Sequence, residues 1–212
     1  MRLARPVGAL HGALILPRRV EALAQAIAPL LPPGGILDVG CGDGSLASRL
    51  QALRPDIRVF GLEVHLRLQA PIPAALYDGR NFPFPDRAFA GVVIADSLHH
   101  AADPAEVLRE CLRVARQSVV VKDHFCENAW ERLVLRILDW GGNAAHGVTL
   151  RYAYFSRSAW ANMIRRLSAV ETFRIERVEG QYPSPFQAWL GRGIQFLARL
   201  DPARAPRPGD GR

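Results

Sequence analysis

The sequence has few residues that could cross-link the chain or anchor it in a membrane. Its 212 residues include three cysteines, Cys41, Cys111 and Cys126, and no two of them have CxxC spacing. This small, odd number argues against a disulfide framework and predicts a reducing, cytoplasmic location. No uninterrupted apolar run reaches about 18 residues, so the sequence predicts no membrane-spanning helix.

Lysine is almost absent, since Lys122 is the only lysine among 27 basic residues. A net charge of +7 would suggest a nucleic-acid partner if it covered the whole surface. Residues 1–19 alone supply +4, however, and the tail 201–212, which we expect to be disordered, supplies +1. The remaining body is nearly neutral, so we expect no nucleic-acid partner. The flap and first helix, residues 1–35, instead begin with a basic, apolar segment suited to an anionic acceptor or to peripheral contact with a membrane.

Helical and strand patterns alternate along the chain. Asp103, Pro104 and Glu106 give the clearest local signal, an N-cap followed by a proline at the first helical position. The order predicts one α/β domain over 1–200, with a Rossmann-like doubly wound sheet and helices on both faces. Strands are predicted at 36–39, 57–64, 74–77, 90–95, 118–121, 172–178 and 193–198. Helices are predicted at 17–31, 45–53, 104–114 and 129–138, and a further helix is capped by Ser156 or Ser158 and runs through Leu167.

A glycine-rich loop, DVGCGDG (38–44), follows the first strand and precedes a helix. Glycines let a backbone turn sharply and approach a ligand closely, and the start of the helix offers unpaired N–H groups. Glu63 ends the second strand, 19 residues after Gly44. A carboxylate in that position can accept hydrogen bonds from both hydroxyls of a ribose. The pattern therefore predicts a cofactor that contains a nucleoside.

Two such cofactors compete for this loop. The dinucleotide fingerprint needs Gly or Ala at its third position, where this chain has Ser45. The loop reads DxGxGxG instead, and Asp38 offers a carboxylate to the ammonium group of S-adenosylmethionine (SAM). SAM is therefore favoured, and an NAD(P)-dependent oxidoreductase is kept as an alternative.

These motifs resemble the class I SAM-dependent methyltransferases, particularly the type-11 group that includes the quinone C-methyltransferases. The resemblance covers about residues 17–125 and implies a mostly parallel seven-stranded sheet with a reversed final strand. The family usually has Asp where this chain has Ala90, a difference that we expect to cost little cofactor binding. The matching segments are ILDVGCGDGSLA (36–47), GLEV (61–64), YDGRNFPFPD (77–86), VVIADSLHH (92–100) and LRECLRVARQSVVVKDHF (108–125).

The resemblance also implies which residues bind the cofactor. Glu63 would be the ribose acid, Asp78 would pair with the exocyclic amine of adenine, and Asp96 would lie near the methionine moiety. The product would be S-adenosylhomocysteine. The residues expected to bind SAM are Asp38, Gly40, Cys41, Gly42, Gly44, Glu63, Asp78, Gly79, Asp96 and Ser97.

Methyl transfer from a sulfonium is an in-line displacement, so the enzyme mainly positions the two reactants. Four titratable residues near the ends of the fourth and fifth strands are candidate catalytic residues: His99, His100, Asp123 and His124. Neighbouring strand residues point to opposite faces, so we expect no direct pair between Asp123 and His124. The sequence has no helical HxxxH or CxxC pair, and it therefore predicts no metal.

The segment 126–160 is rich in aromatic residues and glycines, and we interpret it as a lid over the acceptor pocket. The predicted function is methylation of a small-molecule acceptor that is at least partly apolar. The alternative is a non-catalytic, SAM-binding domain that acts through partners. The sequence leaves the acceptor, the methylated atom and the oligomeric state open.

Overall fold

A computed structural model describes residues 16–65, 71–143, 151–181 and 194–202, without the side chains of 141–143. Seven strands and five α-helices are found in this part of the chain, together with 3₁₀ turns at Ala28–Leu30 and Leu98–His100. In chain order they are α1 (Leu16–Ile27), β1 (Gly34–Val39), α2 (Ser45–Leu53), β2 (Ile57–Glu63), β3 (Ala74–Leu76), β4 (Phe89–Ala95), α3 (Pro104–Val114), β5 (Ala115–His124), α4 (Ala129–Asn143), α5 (Arg157–Arg166), β6 (Val170–Ile175) and β7 (Gln195–Asp201).

The seven strands form one sheet in the order β3-β2-β1-β4-β5-β7-β6. Strands β1 to β5 pair in parallel, whereas β7 runs antiparallel to both β5 and β6. The predicted fold class, including the reversed final strand, is confirmed. The lengths were less accurate, because β5 extends beyond the predicted 118–121 in both directions. The last two strands, Val170–Ile175 and Gln195–Asp201, overlap the predicted ranges 172–178 and 193–198 but are shifted by two to three residues.

The strand β4 shows why this sequence makes a central strand. Its segment FAGVVIA is almost wholly buried, as expected of a parallel strand covered on both faces. Val92 and Ile94 belong to one hydrophobic cluster, and Val93 between them belongs to the other. Helices α3 and α5 contribute to the first cluster, and α1 and α2 to the second. Helices therefore cover both faces of the sheet, as predicted.

Local signals fix the ends of two helices on the first face. The carboxylate of Asp103 accepts hydrogen bonds from the backbone N–H groups of Ala105 and Glu106 at the start of α3. Ser156 caps α5 in the same way, accepting from the Ala159 N–H. Of the two serines that the sequence offered as caps, Ser156 is therefore the one used.

The strand order reverses between β1 and β4, whose carboxyl ends lie side by side. In open α/β sheets, ligands bind in the crevice that forms outside the strands at this point. The glycine loop (38–44) follows β1, and the segment 96–100 follows β4, so both lie at this point. In the part of the chain that the structure describes, no helix is both long enough and apolar enough to cross a membrane.

Candidate functional site

The glycine loop between β1 and α2 has a backbone that only glycine adopts readily. Gly40, Gly42 and Gly44 all have positive φ angles, of 72°, 58° and 80°. A Cβ atom on Gly40 would lie 2.5 Å from the Cβ and Oγ atoms of Ser97. The Ser97 hydroxyl in turn donates to the Val39 carbonyl oxygen over 3.0 Å. The loop is therefore pressed against the end of β4, which brings Gly40 and Ser97 of the predicted cofactor set together.

Glu63, at the end of β2, holds the same loop from its other side. Its Oε2 accepts a hydrogen bond from the Gly42 N–H over 2.8 Å, and its Oε1 accepts one from the Val64 N–H over 2.8 Å. A carboxylate has about four acceptor positions, so these two bonds leave room for ligand hydroxyl groups. The predicted ribose acid thus lies beside the glycine loop, as the motif spacing required.

Asp38 is the most unusual residue of the loop, because it is a carboxylate that is only 2% exposed. Within the described residues its Oδ2 has no hydrogen-bond partner. Burial, together with the nearby charges of Glu63 and Asp43, raises the pKa of Asp38 to about 7. A buried acceptor that needs a counter-charge fits the ammonium group of a SAM molecule in this loop.

The remaining predicted cofactor residues have different local roles. Cys41 is buried, and a Cβ atom on Gly61 would lie 2.6 Å from its sulfur, so Cys41 packs closely on β2. The carboxylate of Asp78 closes its own turn by accepting from the N–H groups of Arg80 and Asn81 and from the Asn81 amide. Gly79 permits this turn with a φ of 82°. That Asp78 binds adenine stays a prediction.

Asp96, expected near the methionine moiety, is engaged by two cations. It has a φ of 53°, rare for a residue with a side chain, and its carboxylate pairs with Arg19 of α1 and Lys122 of β5. Burial would raise the pKa of Asp96, but Arg19 and Lys122 hold it well below its usual range. The negative charge needed to attract an ammonium is thus largely neutralised at Asp96, and Asp38 is the better partner for that group.

The structure joins the predicted catalytic residues into one buried cluster, which also includes Asp139 and Tyr154. His99 Nδ1 lies 2.6 Å from Asp123 Oδ1, and the His99 N–H donates to Asp123 Oδ2 over 3.1 Å. On the other side of the ring, Nε2 lies 3.2 Å from Asp139 Oδ2. Tyr154 donates its hydroxyl hydrogen to that same Oδ2 atom. His99 is fully buried and lies between two carboxylates.

The two carboxylates determine the charge of His99. Burial alone would lower the pKa of His99, but Asp123 and Asp139 outweigh it and raise this pKa to about 10. His99 in turn helps to hold the pKa of Asp123 well below its usual range, although burial opposes this. At neutral pH the ligand-free cluster therefore contains an imidazolium ion between two carboxylates.

The other two histidines are kept neutral. Burial and the charge of His99, whose ring centroid is 4.0 Å away, lower the pKa of His100 to about 4. Burial and Lys122 lower the pKa of His124. His124 Nδ1 lies 3.6 Å from Asp123 Oδ1, beyond hydrogen-bond distance, so Asp123 pairs with the imidazole ring of His99 and not with that of His124. This agrees with the expectation for adjacent strand residues.

Part of the predicted lid lies against this cluster. Helix α4 extends beyond the predicted end at residue 138 and carries Asp139. The segment before α5 returns over β5, since the Ala153 N–H donates to the His99 carbonyl oxygen over 3.3 Å and the Cys126 N–H to the Phe155 carbonyl oxygen over 2.8 Å. Residues 144–150 of the proposed lid, residues 1–15 of the flap and most of the tail lie outside the described residues.

Sequence reasoning missed four residues of these clusters: Arg19, Lys122, Asp139 and Tyr154. Two of them had a usable signal, because Lys122 is the only lysine and Asp139 begins the unusual segment DWGGN. Arg19 gave none, since its partner Asp96 is 77 positions away in the chain.

The comparisons with known proteins agree with this geometry. Residues 37–121 match the family model described as a methyltransferase domain. Demethylmenaquinone methyltransferase from Thermotoga maritima is 30% identical over 92 residues, which are 40% of this chain and 40% of that protein. 27-O-demethylrifamycin SV methyltransferase from Amycolatopsis mediterranei is 31% identical over 112 residues, or 47% of this chain and 40% of that protein.

A solved structure, a SAM-dependent methyltransferase from Thermotoga maritima, superposes with a TM-score of 0.67. It is 18% identical, and the alignment covers 89% of this chain and 92% of that one, so it supports the fold. The matches to the two curated relatives span about two fifths of each relative's length. Residues 37–121 thus match a methyltransferase domain, the two curated proteins of similar sequence are methyltransferases, and the fold is shared with a SAM-dependent methyltransferase.

Proposed function

We propose that this protein transfers the methyl group of SAM to a small-molecule acceptor. The observation that carries the proposal is the position of two sites at neighbouring strand ends. The glycine loop with Asp38 and Glu63 follows β1 and β2, and the buried His–Asp cluster follows β4 and β5. Strands β1 and β4 are direct neighbours, so a donor in the loop would have its reactive end toward the cluster.

The chain's own residues would hold the donor as follows. Asp38 would supply the buried charge for the ammonium group, Glu63 would accept from the ribose hydroxyls, and Gly40 and Gly42 provide the positive φ angles that this loop requires. Bound SAM supplies an already activated methyl group, so the donor itself needs no metal for activation. The polar cluster would then orient the acceptor for in-line displacement.

The acceptor is proposed to be small, because His99, Asp123 and His124, which would face it, are buried. The names of the two curated relatives refer to demethylmenaquinone and 27-O-demethylrifamycin SV, which are also small molecules. An acceptor oxygen or nitrogen that carries hydrogen must lose a proton on methylation. The neutral imidazole of His124 is the proposed proton acceptor, with Asp123 and His99 as positioning residues.

A cytoplasmic location and peripheral contact through the basic N-terminus are part of the same proposal. Its support is the concentration of positive charge in residues 1–19. Deleting residues 1–15 should then lower activity on an apolar or anionic acceptor while SAM affinity is retained. Unchanged activity after this deletion would contradict a role for the flap.

Calorimetric titration with S-adenosylhomocysteine tests the cofactor, and the Asp38→Asn variant tests its site. We expect binding at one site per chain and weaker binding in the variant. Heat from NAD(P) but not from S-adenosylhomocysteine would favour the oxidoreductase alternative. Incubation with methyl-labelled SAM and a cytoplasmic metabolite extract should transfer label to a small molecule. Cofactor binding without any labelled product would favour the non-catalytic alternative.

A further inference from the structure

Four imidazole nitrogen atoms in the cluster are buried without a hydrogen-bond partner among the described residues. They are Nε2 of His99, both ring nitrogens of His100, and Nδ1 of His124. Leaving one buried polar atom unsatisfied costs about 1–3 kcal/mol, so four such atoms together indicate that a ligand completes them. A second carboxylate, Asp139, is only 8% exposed and lies against the same rings.

The contacts of His99 narrow the choice of ligand. Its Nδ1 lies 2.6 Å from Asp123 Oδ1, which requires a proton on Nδ1 because a carboxylate oxygen only accepts. Its Nε2 lies 3.2 Å from Asp139 Oδ2 but is not aligned for a hydrogen bond with it. In the ligand-free protein Nε2 carries a proton, and a metal ion that displaced this proton would supply the positive charge between Nε2 and the Asp139 carboxylate.

We propose that His99, His100 and Asp139 form a binding site for a divalent first-row transition-metal ion such as Zn²⁺ or Fe²⁺. One ligand atom from each of these residues lies within 4.8 Å of the other two. Ligands at about 2.0–2.1 Å from one ion are separated by roughly 3.0–3.3 Å, which includes the 3.2 Å between His99 Nε2 and Asp139 Oδ2. Two imidazoles and one carboxylate suit transition metals better than Mg²⁺ or Ca²⁺.

The surroundings of these three residues match those of known metal sites. A metal-binding histidine usually donates its other ring N–H to a carboxylate, as His99 does to Asp123. Asp139 also accepts a hydrogen bond from the Tyr154 hydroxyl, which fixes the orientation of its carboxylate. The sequence could not reveal this site, because helix α4 brings Asp139 to histidines that lie far earlier in the chain.

A second group, His99 with Asp123 and His124, also has ligand atoms within 4.8 Å of one another, but its Asp123 carboxylate already has hydrogen-bond partners. The 2.6 Å contact between His99 Nδ1 and Asp123 holds a proton and leaves no space for an ion. Asp123 also accepts from the backbone N–H groups of His99 and His124. We therefore assign Asp123 to the support of His99 and not to the ion.

Three protein ligands leave coordination positions open. If the proposed function holds, these positions would bind an oxygen atom of the methyl acceptor. The favoured acceptor class is then a hydroxyl, enol or carbonyl compound. The metal site itself does not depend on methyl transfer. Its failure can therefore be told apart from failure of the proposed function.

The test titrates metal-free protein with Co²⁺ and Zn²⁺ and follows Co²⁺ absorption, calorimetric heat and bound metal per chain. We expect one tightly bound ion, with at least about tenfold weaker binding in His100→Gln and in Asp139→Asn. Exposed His65 offers a matched control, since His65→Gln should leave metal binding unchanged. Circular dichroism and affinity for S-adenosylhomocysteine report whether each variant is folded.

Three results would overturn the assignment. Absence of a stoichiometric ion would show that a proton alone bridges His99 and Asp139. Binding that is lost in His124→Gln but retained in His100→Gln would move the ion to the Asp123 side. Binding that survives in every folded variant would show an adventitious ion only.

Discussion

The two halves of the proposed site are built in different ways. The half formed by β1 and β2 consists largely of backbone, with three glycines of positive φ and two carboxylates, all within residues 38–63. The half formed by β4 and β5 consists of side chains from four separate parts of the chain, including α4 and the segment around Tyr154. The first half depends on the shape of one loop, and the second on long-range pairing of charges.

This difference explains why the two halves should respond differently to mutation. In a site built largely from backbone, most substitutions act by steric clash, and they mainly weaken ligand binding. A buried charge network stabilises or destabilises the whole fold, because removing one charge leaves its partner buried without compensation. The predictions below test that separation, beginning with the largest expected effect.

Removing the carboxylate that supports His99 should have the largest effect, and it should be on stability. We expect Asp123→Asn to lower the free energy of unfolding by about 3–5 kcal/mol, because the His99 imidazolium loses its main counter-charge. Chemical denaturation measures this change. Affinity for S-adenosylhomocysteine should stay within about twofold below the transition. A large loss of affinity in the folded variant would mean that the two halves are not separate.

Substitution in the glycine loop should have the opposite profile. Gly40→Ala places a Cβ atom 2.5 Å from Ser97 in a backbone conformation that disfavours side chains. We expect about a hundredfold weaker binding of S-adenosylhomocysteine, equivalent to about 2.7 kcal/mol, measured by calorimetry. Gly35→Ala is a suitable control, because its Cβ atom would only reach Phe89 at 3.9 Å. Equal losses in both variants would argue against a ligand in the loop.

Asp38 should make cofactor binding depend on pH. Its pKa is raised from 3.8 to about 7 in the ligand-free protein, whereas pairing with an ammonium needs the ionised form. Binding of S-adenosylhomocysteine should therefore strengthen about 25-fold as the pH rises from about 5.5 to about 7.5, and Asp38→Asn should abolish this dependence. A pH profile that is unchanged in the variant would assign the titration to another group.

The raised pKa of Asp38 also affects folding stability, which should fall as the pH rises, whereas cofactor binding should strengthen. Because the folded-state pKa of Asp38 is raised, this residue favours folding most at a pH below 3.8, and that contribution is lost as the pH rises through about 7. Asp38→Asn should therefore be stabilising relative to the parent at about pH 8 in the absence of ligand.

The smallest effect is expected outside both halves, at the start of α3. Asp103→Ala removes the acceptor for two backbone N–H groups and should cost about 1 kcal/mol of stability. Neither cofactor affinity nor metal binding should change, as calorimetry can verify. A change in either one would show that α3 is coupled to the site.

The sequence predicted the fold and the position of the glycine loop well for a physical reason. Continuous apolar strands, the glycine spacing and the capping Asp103 are local signals, read within a few residues. The exact limits of β6 and β7 were not predictable, because they depend on the pairing of β7 with β5 and of β6 with β7 rather than on their own composition.

The charge network could only be predicted in part. His99, His100, Asp123 and His124 were recognised from their place at the strand ends, but their partners were not. The pairing of Asp123 with the His99 ring depends on side-chain direction and on the 3₁₀ turn that contains His99. Neither of these produces a recognisable pattern of residue spacing in the sequence. The ion pair between Arg19 and Asp96 depends on how α1 packs across the sheet.

Because Lys122 is buried, its chemical labelling would report when the ends of β4 and β5 become exposed. Its side chain is fully buried and paired with Asp96, and the chain has no other lysine. An amine-selective reagent should consequently leave every side chain of the folded protein unmodified. Each molecule in which Lys122 becomes labelled has exposed the ends of β4 and β5 at least once. The rate of that single modification, read by mass spectrometry, would time the opening of the site without any introduced probe.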